Sequence, residues 1–204
     1  MKVAILGGSF DPPHIGHILI AEQVIERIGV DQVWLMPNQT TSTHHKIFQK
    51  EMSPTKVRLA MAKLLETDKI KVSNFEIIEN PSSITITTLE MMTQKYPEHE
   101  FYWITGSDKL ETFHMYDRWE DILKNYKLVV FPREHVLWHL EEKVKAGLRL
   151  QTIPENVIVL NDRKLILTNV SSSTVRERQK KNLSIKYLVP KQVEEYIKEY
   201  QLYK

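Results

Sequence analysis

The feature that most restricts the fold of this chain is an alternation of two hydrophobic periods, which starts at its first residues. Residues 2–6 form a short apolar run stopped by Gly7-Gly8, which reads as a buried strand. Ile15, Ile18, Leu19, Ala21, Val24, Ile25 and Ile28 then recur at helical spacing, and Gly29 is placed to end that helix. Residues 32–36 read as the next strand. Ser53 and Pro54, as N-cap and first helical position, open a helix to about Leu65. Strands are further expected at 69–77, 99–105, 127–131, 157–160 and 165–168, and helices at 85–96, 171–181 and 190–200. Residues 134–156 keep a helical period up to Ala146 without a clear placement. A parallel crossover needs an intervening element of helical length, so this order predicts a doubly wound, mostly parallel sheet with helices on both faces.

The 204 residues suit one domain with a full core, the C-terminal helical part from about 171 to 204 packing on it. Net charge is only +2, from 28 basic and 26 acidic side chains without a long block of either sign, so no nucleic-acid partner is expected. The absence of cysteine removes disulfides, thiolate metal sites and a cysteine nucleophile, and fits a cytoplasmic setting. The first apolar stretch is too short for a signal peptide, and a membrane span needs about 20 apolar residues. Neither is expected. Oligomeric state stays open, a homo-oligomer included.

The candidate site lies where the first strand ends. Gly7-Gly8-Ser9-Phe10-Asp11-Pro12-Pro13-His14-Ile15-Gly16-His17 leaves a strand and opens a helix, the position at which open α/β sheets bind ligands. Two glycines allow close approach to the backbone, and the first helical N–H groups attract anions. His14 and His17, three apart, share a helix face there and can donate hydrogen bonds to a phosphate as charge builds on it. The plainer reading makes Gly7-Gly8 a tight turn and the histidines surface caps. The loop lacks the Gly-Lys-Ser/Thr ending of a P-loop and the third glycine of a dinucleotide fingerprint. A zinc site lacks further ligands.

The literal His14-Ile15-Gly16-His17 resembles the signature of the nucleotidyltransferase superfamily, which includes class I aminoacyl-tRNA synthetases. The chain is too short for a synthetase and lacks their lysine-rich second signature. Instead Val170-Ser171-Ser172-Ser173-Thr174-Val175-Arg176-Glu177-Arg178 resembles the Ser-Ser-Thr-x-Ile-Arg motif of nucleotide adenylyltransferases. With Leu35-Met36-Pro37-Asn38, His45-Lys46, Ser53-Pro54 and Arg58-Leu59, Gly106-Ser107-Asp108, and a tail from Tyr187-Leu188-Val189-Pro190 to Leu202-Tyr203, the whole chain resembles the bacterial nicotinate mononucleotide adenylyltransferases.

That resemblance implies a Rossmann-like fold and attack by the 5′-phosphate of a pyridine mononucleotide on the α-phosphorus of ATP. His14, His17 and Arg176 take the catalytic places, Arg176 by permanent charge in bidentate geometry. Gly7, Gly8, Ser9, Phe10, Gly106, Asp108, Ser171, Ser172 and Ser173 take the ATP side, and Lys46, Thr85 and Trp119 the acceptor side. Mg²⁺ is expected to be held by ATP phosphates and water, with no protein ligand. The residues themselves leave plainer roles open: a helix cap for the serine run and Asp108, a solvated face for Arg176 and Lys46, a core ring for Trp119. Ile84 and Thr87 depart from the family's Ser-Tyr-Thr-x-x-Thr segment, carried here by residues 83–88, and Thr40, Thr41, Ser42 and Thr43 stand where proline is common. Nicotinamide mononucleotide, or both acceptors, therefore stays open beside nicotinate mononucleotide. Pantetheine-phosphate adenylyltransferases share the first motif but not the tail. A non-catalytic nucleotide-binding protein on the same fold would be expected to have lost a histidine or the arginine.

Overall fold

The computed structural model describes residues 1–39, 52–133 and 139–204. Six parallel strands form one sheet: β1 Lys2–Gly8, β2 Gln32–Pro37, β3 Ile70–Val72, β4 Glu100–Gly106, β5 Lys127–Phe131 and β6 Val157–Val159, in the order β3-β2-β1-β4-β5-β6. The helices are α1 Ile15–Ile28, α2 Thr55–Lys63, α3 Phe75–Ile78, α4 Thr85–Lys95, α5 Leu110–Phe113, α6 Trp119–Asn125, α7 Leu140–Gly147, α8 Ser172–Lys180 and α9 Lys191–Glu199.

The central strands bury both faces, because successive side chains point to opposite sides. Ala4, Leu6, Val33, Leu35, Ile104 and Val129 join Ile20 and Val24 of α1, Val175 of α8, and Val193 and Ile197 of α9 in one core layer. Val3, Ile5, Met36, Phe101, Trp103, Leu128 and Val130 join Leu89 of α4, Phe113 of α5, Ile122 of α6 and Val144 of α7 in the other. Full burial of such side chains stabilises by roughly 1.5–3 kcal/mol each, which is why two continuous apolar layers hold a sheet with little polar surface of its own.

The strand order places the site. From β1 the chain moves outward to β2 and β3, then returns to the other side of β1 as β4. Leu6 pairs with Leu35 on one side and Ile104 on the other, and just beyond that register the connections leave the sheet in opposite directions. This leaves a crevice at the carboxyl ends of β1 and β4, where ligands settle in doubly wound sheets.

Three local expectations change. The strand expected over 69–77 stops at Val72, and Phe75–Ile78 is a helical turn that sinks Phe75 into the second core layer. Residues 165–168 pair with no strand among the described residues; Gln23 instead takes the Ile166 N–H on Oε1 at 2.7 Å and returns its Nε2–H to the Ile166 carbonyl at 3.0 Å. One side-chain amide does there what a neighbouring strand would. Ser53 does not cap α2: Pro54 holds the N-cap position, while the Ser53 backbone is tied to Asp11 and Arg58. Among the described residues, no helix is long and apolar enough to cross a membrane.

Candidate active site

β1 delivers Gly7 and Gly8 into the crevice, and Gly7 lies directly under Trp103. A Cβ on Gly7 would come within 2.8 Å of the indole, so only glycine lets strand and ring approach so closely. Phe10, fully buried, sends its ring inward against His17, with centroids 4.7 Å apart. Its side chain is core, and the residue as a whole has no solvent exposure.

His14 and His17 do not both ride on the helix. His14 is the N-cap of α1 in extended backbone, and its Nδ1 accepts from the Gly16 N–H at 3.1 Å. His17 reaches back so that its Nδ1 accepts from the His14 N–H at 3.1 Å, which closes a reciprocal capping box built from two imidazoles. The rings lie 3.8 Å apart between centroids. The intervening glycine has a steric reason: a Cβ on Gly16 would sit 2.9 Å from the His14 ring and 3.3 Å from Thr168.

This arrangement fixes the chemistry of the pair. Burial, then the positive charge of Arg133, lowers His14 to about 3. Burial, then His14 and Arg133, holds His17 well below its ordinary value. Both rings are therefore neutral near pH 7. With each Nδ1 accepting from a backbone N–H, the single ring proton belongs on Nε2. Each histidine thus carries one Nε2–H donor with no protein acceptor among the described residues.

The far segment of the chain closes over this loop. Ser171 caps α8, its Oγ accepting from the Thr174 N–H at 3.1 Å. Ser172 Oγ donates to the Pro12 carbonyl at 2.8 Å, and Arg176 Nη1 donates to the Asp11 carbonyl at 2.7 Å. Arg176 Nη2 meets Ser173 Oγ at 3.3 Å, and the Ile15 N–H donates to the Leu188 carbonyl at 3.0 Å. Of the three hydroxyls, Ser172 spends its proton on the Pro12 carbonyl and Ser171 is engaged with Thr174, while Ser173 Oγ accepts from Arg176 and keeps its own O–H to give. α8 also leaves open the backbone N–H of Ser172 and of Ser173, neither of which has an acceptor among the described residues. Unpaired N–H groups at a helix start attract anionic oxygen.

At the end of β4, Ser107–Lys109 form one 3-10 turn, and Asp108 pairs with Arg133 at 3.5 Å. Ser107 Oγ accepts the Arg133 N–H at 2.8 Å, so the ends of β4 and β5 are stitched together. Arg133 was missed from the sequence. It follows β5 and lines a small cleft with Gly16, Phe131 and Thr168, and it sets the field on both histidines. A basic residue just past a predicted strand was the only signal available. Ser9 is held through its carbonyl, which accepts from Arg58 Nη1 at 2.6 Å.

On the acceptor side, Thr85 and Trp119 each open a helix, α4 and α6, which are joined by an Arg118–Glu90 ion pair of 2.6 Å. Trp119 is half-buried against the second core layer. Tyr116, not singled out from the sequence, stacks on Phe113 at 5.0 Å, and burial followed by the charges of Asp108 and Glu76 raises its phenol above the usual range. Lys46 lies outside the described residues, as do His45 and residues 40–43.

The histidine pair has a consequence for stability. Between the ordinary histidine range near 6.5 and about 3, the unfolded chain binds a proton at position 14 that the folded chain refuses. Stability therefore falls as pH drops through that window, by about 1.4 kcal/mol per pH unit for each such histidine, and above it the pair contributes no slope. Glu76, whose buried carboxyl is raised by desolvation, acts in the opposite direction. Urea unfolding from pH 7.5 to 4.5 should show this slope, and His14→Asn should flatten it; an unchanged slope would contradict the neutral pair.

The parallel sheet, the glycine-rich strand end and the inward-facing histidines define a nucleotidyltransferase scaffold, and the chain belongs to the cytidylyltransferase-like family, whose model matches residues 5–178. Within it, the chain stands with the nicotinate-nucleotide adenylyltransferases. It is 32% identical over 203 residues, covering 100% of this chain and 99% of the other, to a protein of Exiguobacterium sibiricum named "Probable nicotinate-nucleotide adenylyltransferase". A protein of the same name from Shewanella pealeana is 33% identical, with 100% and 96% of the two chains covered. The fold is that of the Plasmodium falciparum nicotinic acid mononucleotide adenylyltransferase solved in complex with NaAD, at a TM-score of 0.77, 20% identity, and 99% and 97% of the chains covered.

Proposed function

We infer that this chain is a nicotinate-nucleotide adenylyltransferase, which transfers the adenylyl group of ATP to nicotinate mononucleotide and releases pyrophosphate, a step of NAD biosynthesis. The observation that carries the reading is the meeting of two segments far apart in number: the neutral histidine pair at the end of β1, and the start of α8, docked on Asp11 and Pro12. An oxygen of the acceptor 5′-phosphate forms a bond to the α-phosphorus as the bond to the bridging oxygen of pyrophosphate breaks. Nucleophile and leaving group are both already ionised, so no side chain need take a proton.

The protein's part is alignment and charge compensation. The Nε2–H groups of His14 and His17 donate to the phosphate oxygens on which charge accumulates. Arg176 keeps N–H groups beyond those bound to Asp11 and Ser173, and these, with the α8 backbone N–H groups and Arg133, hold the pyrophosphate portion. Gly7 and Gly8 admit the phosphate chain against the backbone, with Ser9, Phe10 and Gly106 lining the same strand ends, and Asp108 faces the ATP ribose. Thr85 and Trp119 serve the pyridine mononucleotide. Magnesium would be held on the ATP oxygens it favours, where it would supply further charge neutralisation.

Pyrophosphate release with ATP and a panel of nicotinate mononucleotide, nicotinamide mononucleotide and phosphopantetheine tests the reading. Turnover should be highest with nicotinate mononucleotide; turnover with phosphopantetheine alone would overturn it. Trp119→Ala should raise KM for the pyridine nucleotide by about tenfold, the loss of one aromatic stack, and leave that for ATP unchanged. A shift in the ATP value instead would move Trp119 to the other half of the site.

A further inference from the structure

We propose that Tyr203 is a positioning residue for ATP, acting through Asp11 to set the guanidinium of Arg176. The proposal rests on the adenylyl-transfer reading above. Asp11 is fully buried, and each of its three oxygens accepts a hydrogen bond. Its Oδ1 accepts from the Tyr203 hydroxyl at 2.5 Å, its Oδ2 from the Ser53 N–H at 3.0 Å, and its main-chain carbonyl from Arg176 Nη1 at 2.7 Å. Beneath them lies Arg58, likewise without exposure, whose guanidinium is electrostatically coupled to Asp11 and Tyr203.

The physical argument runs from the buried charge outward. A carboxylate without water needs donors on both oxygens, or it turns until it finds them. Tyr203 supplies one of the two, and burial beside Asp11 keeps its phenol protonated and donating. The hydroxyl comes from a turn after α9 in which Gln201 and Tyr203 both hold left-handed backbone, at φ of 51° and 62°. Non-glycine residues keep that conformation only where their surroundings over-determine it. With both carboxylate oxygens fixed, the Asp11 backbone is fixed, and its carbonyl presents one acceptor to Arg176 in one orientation. The remaining N–H groups of a rigid planar fork are then aimed as well.

Tyr203→Phe keeps the ring and removes the hydroxyl. The expected result is an approximately tenfold weaker Kd for ATP, read by titration without acceptor, and a similar fall in kcat, with KM for nicotinate mononucleotide unchanged. A merely structural role would lower the unfolding midpoint and the active fraction without separating the two substrates. The decisive measurement repeats the substitution in Arg176→Ala. If Tyr203 acts through Arg176, the hydroxyl has little further effect on ATP binding there, and the two changes are strongly non-additive. Additive effects, or unchanged ATP binding in Tyr203→Phe, overturn the proposal. A wild-type protein that binds ATP but transfers nothing to nicotinate mononucleotide would sink the reading beneath it, and the binding cycle would still report on the link between Tyr203 and Arg176.

Discussion

His17→Asn should lose on the order of 10²- to 10³-fold in kcat with ATP and nicotinate mononucleotide, while its unfolding midpoint stays close to that of the wild type. The reasoning depends on which nitrogen does what. Nδ1 of His17 accepts from the His14 N–H and belongs to the helix cap. Nε2 carries the proton that the proposed mechanism offers to phosphate. The carbonyl oxygen of asparagine stands about where Nδ1 stood, so the cap survives and the donor does not. His17→Ala removes both and should add a stability loss of about 1 kcal/mol, the usual cost of a lost cap. Steady-state kinetics beside urea unfolding separates the two effects. Unaltered turnover in His17→Asn would remove the histidine pair from the chemistry.

The second large effect is expected in stability. Arg58→Leu should destabilise the protein by about 3–5 kcal/mol, as breaking a buried charged network does. Arg58 has no solvent exposure and donates to the Ser9 carbonyl at 2.6 Å, the Asn38 carbonyl at 2.8 Å and the Ser53 carbonyl at 3.1 Å. These three belong to the β1 exit loop, the β2 exit and the approach to α2. Leucine fills much of the volume and satisfies none of the acceptors, and Asp11 loses a neighbouring positive charge. Denaturant unfolding at neutral pH reads the change directly, and a loss below 1 kcal/mol would mean that water or neighbours replace the guanidinium. Lysine should rescue little, because a point charge cannot bracket carbonyls on three segments.

Arg58 also shows where reading the chain in one dimension stops. From sequence it is a landmark on a helix face, because local spacing says which residues share a face but nothing about what that face meets. The same limit hid Arg133, which reaches Asp108 across the ends of β4 and β5, and the bond between Tyr203 and Asp11. It also misplaced residues 165–168, whose apolar, extended character resembles a strand although the partner is the side chain of Gln23. By contrast, the strand–glycine–helix start of the site was plain, because tight backbone approach demands glycine and a helix opening demands a cap, and both needs are local.

The sequence alone determined the alternation of strand and helix, the position of the glycine-rich loop at the end of the first strand, and the residue types offered there. These follow from interactions between near neighbours, which a linear pattern records. Only the tertiary structure decided that the two imidazoles cap one another, that burial and Arg133 hold them neutral, and that Ser172 turns its hydroxyl onto Pro12 while the first backbone N–H groups of α8 stay without acceptors among the described residues. Those outcomes depend on desolvation and on charges brought together by chain reversal, and neither quantity exists until the sheet has closed its crevice.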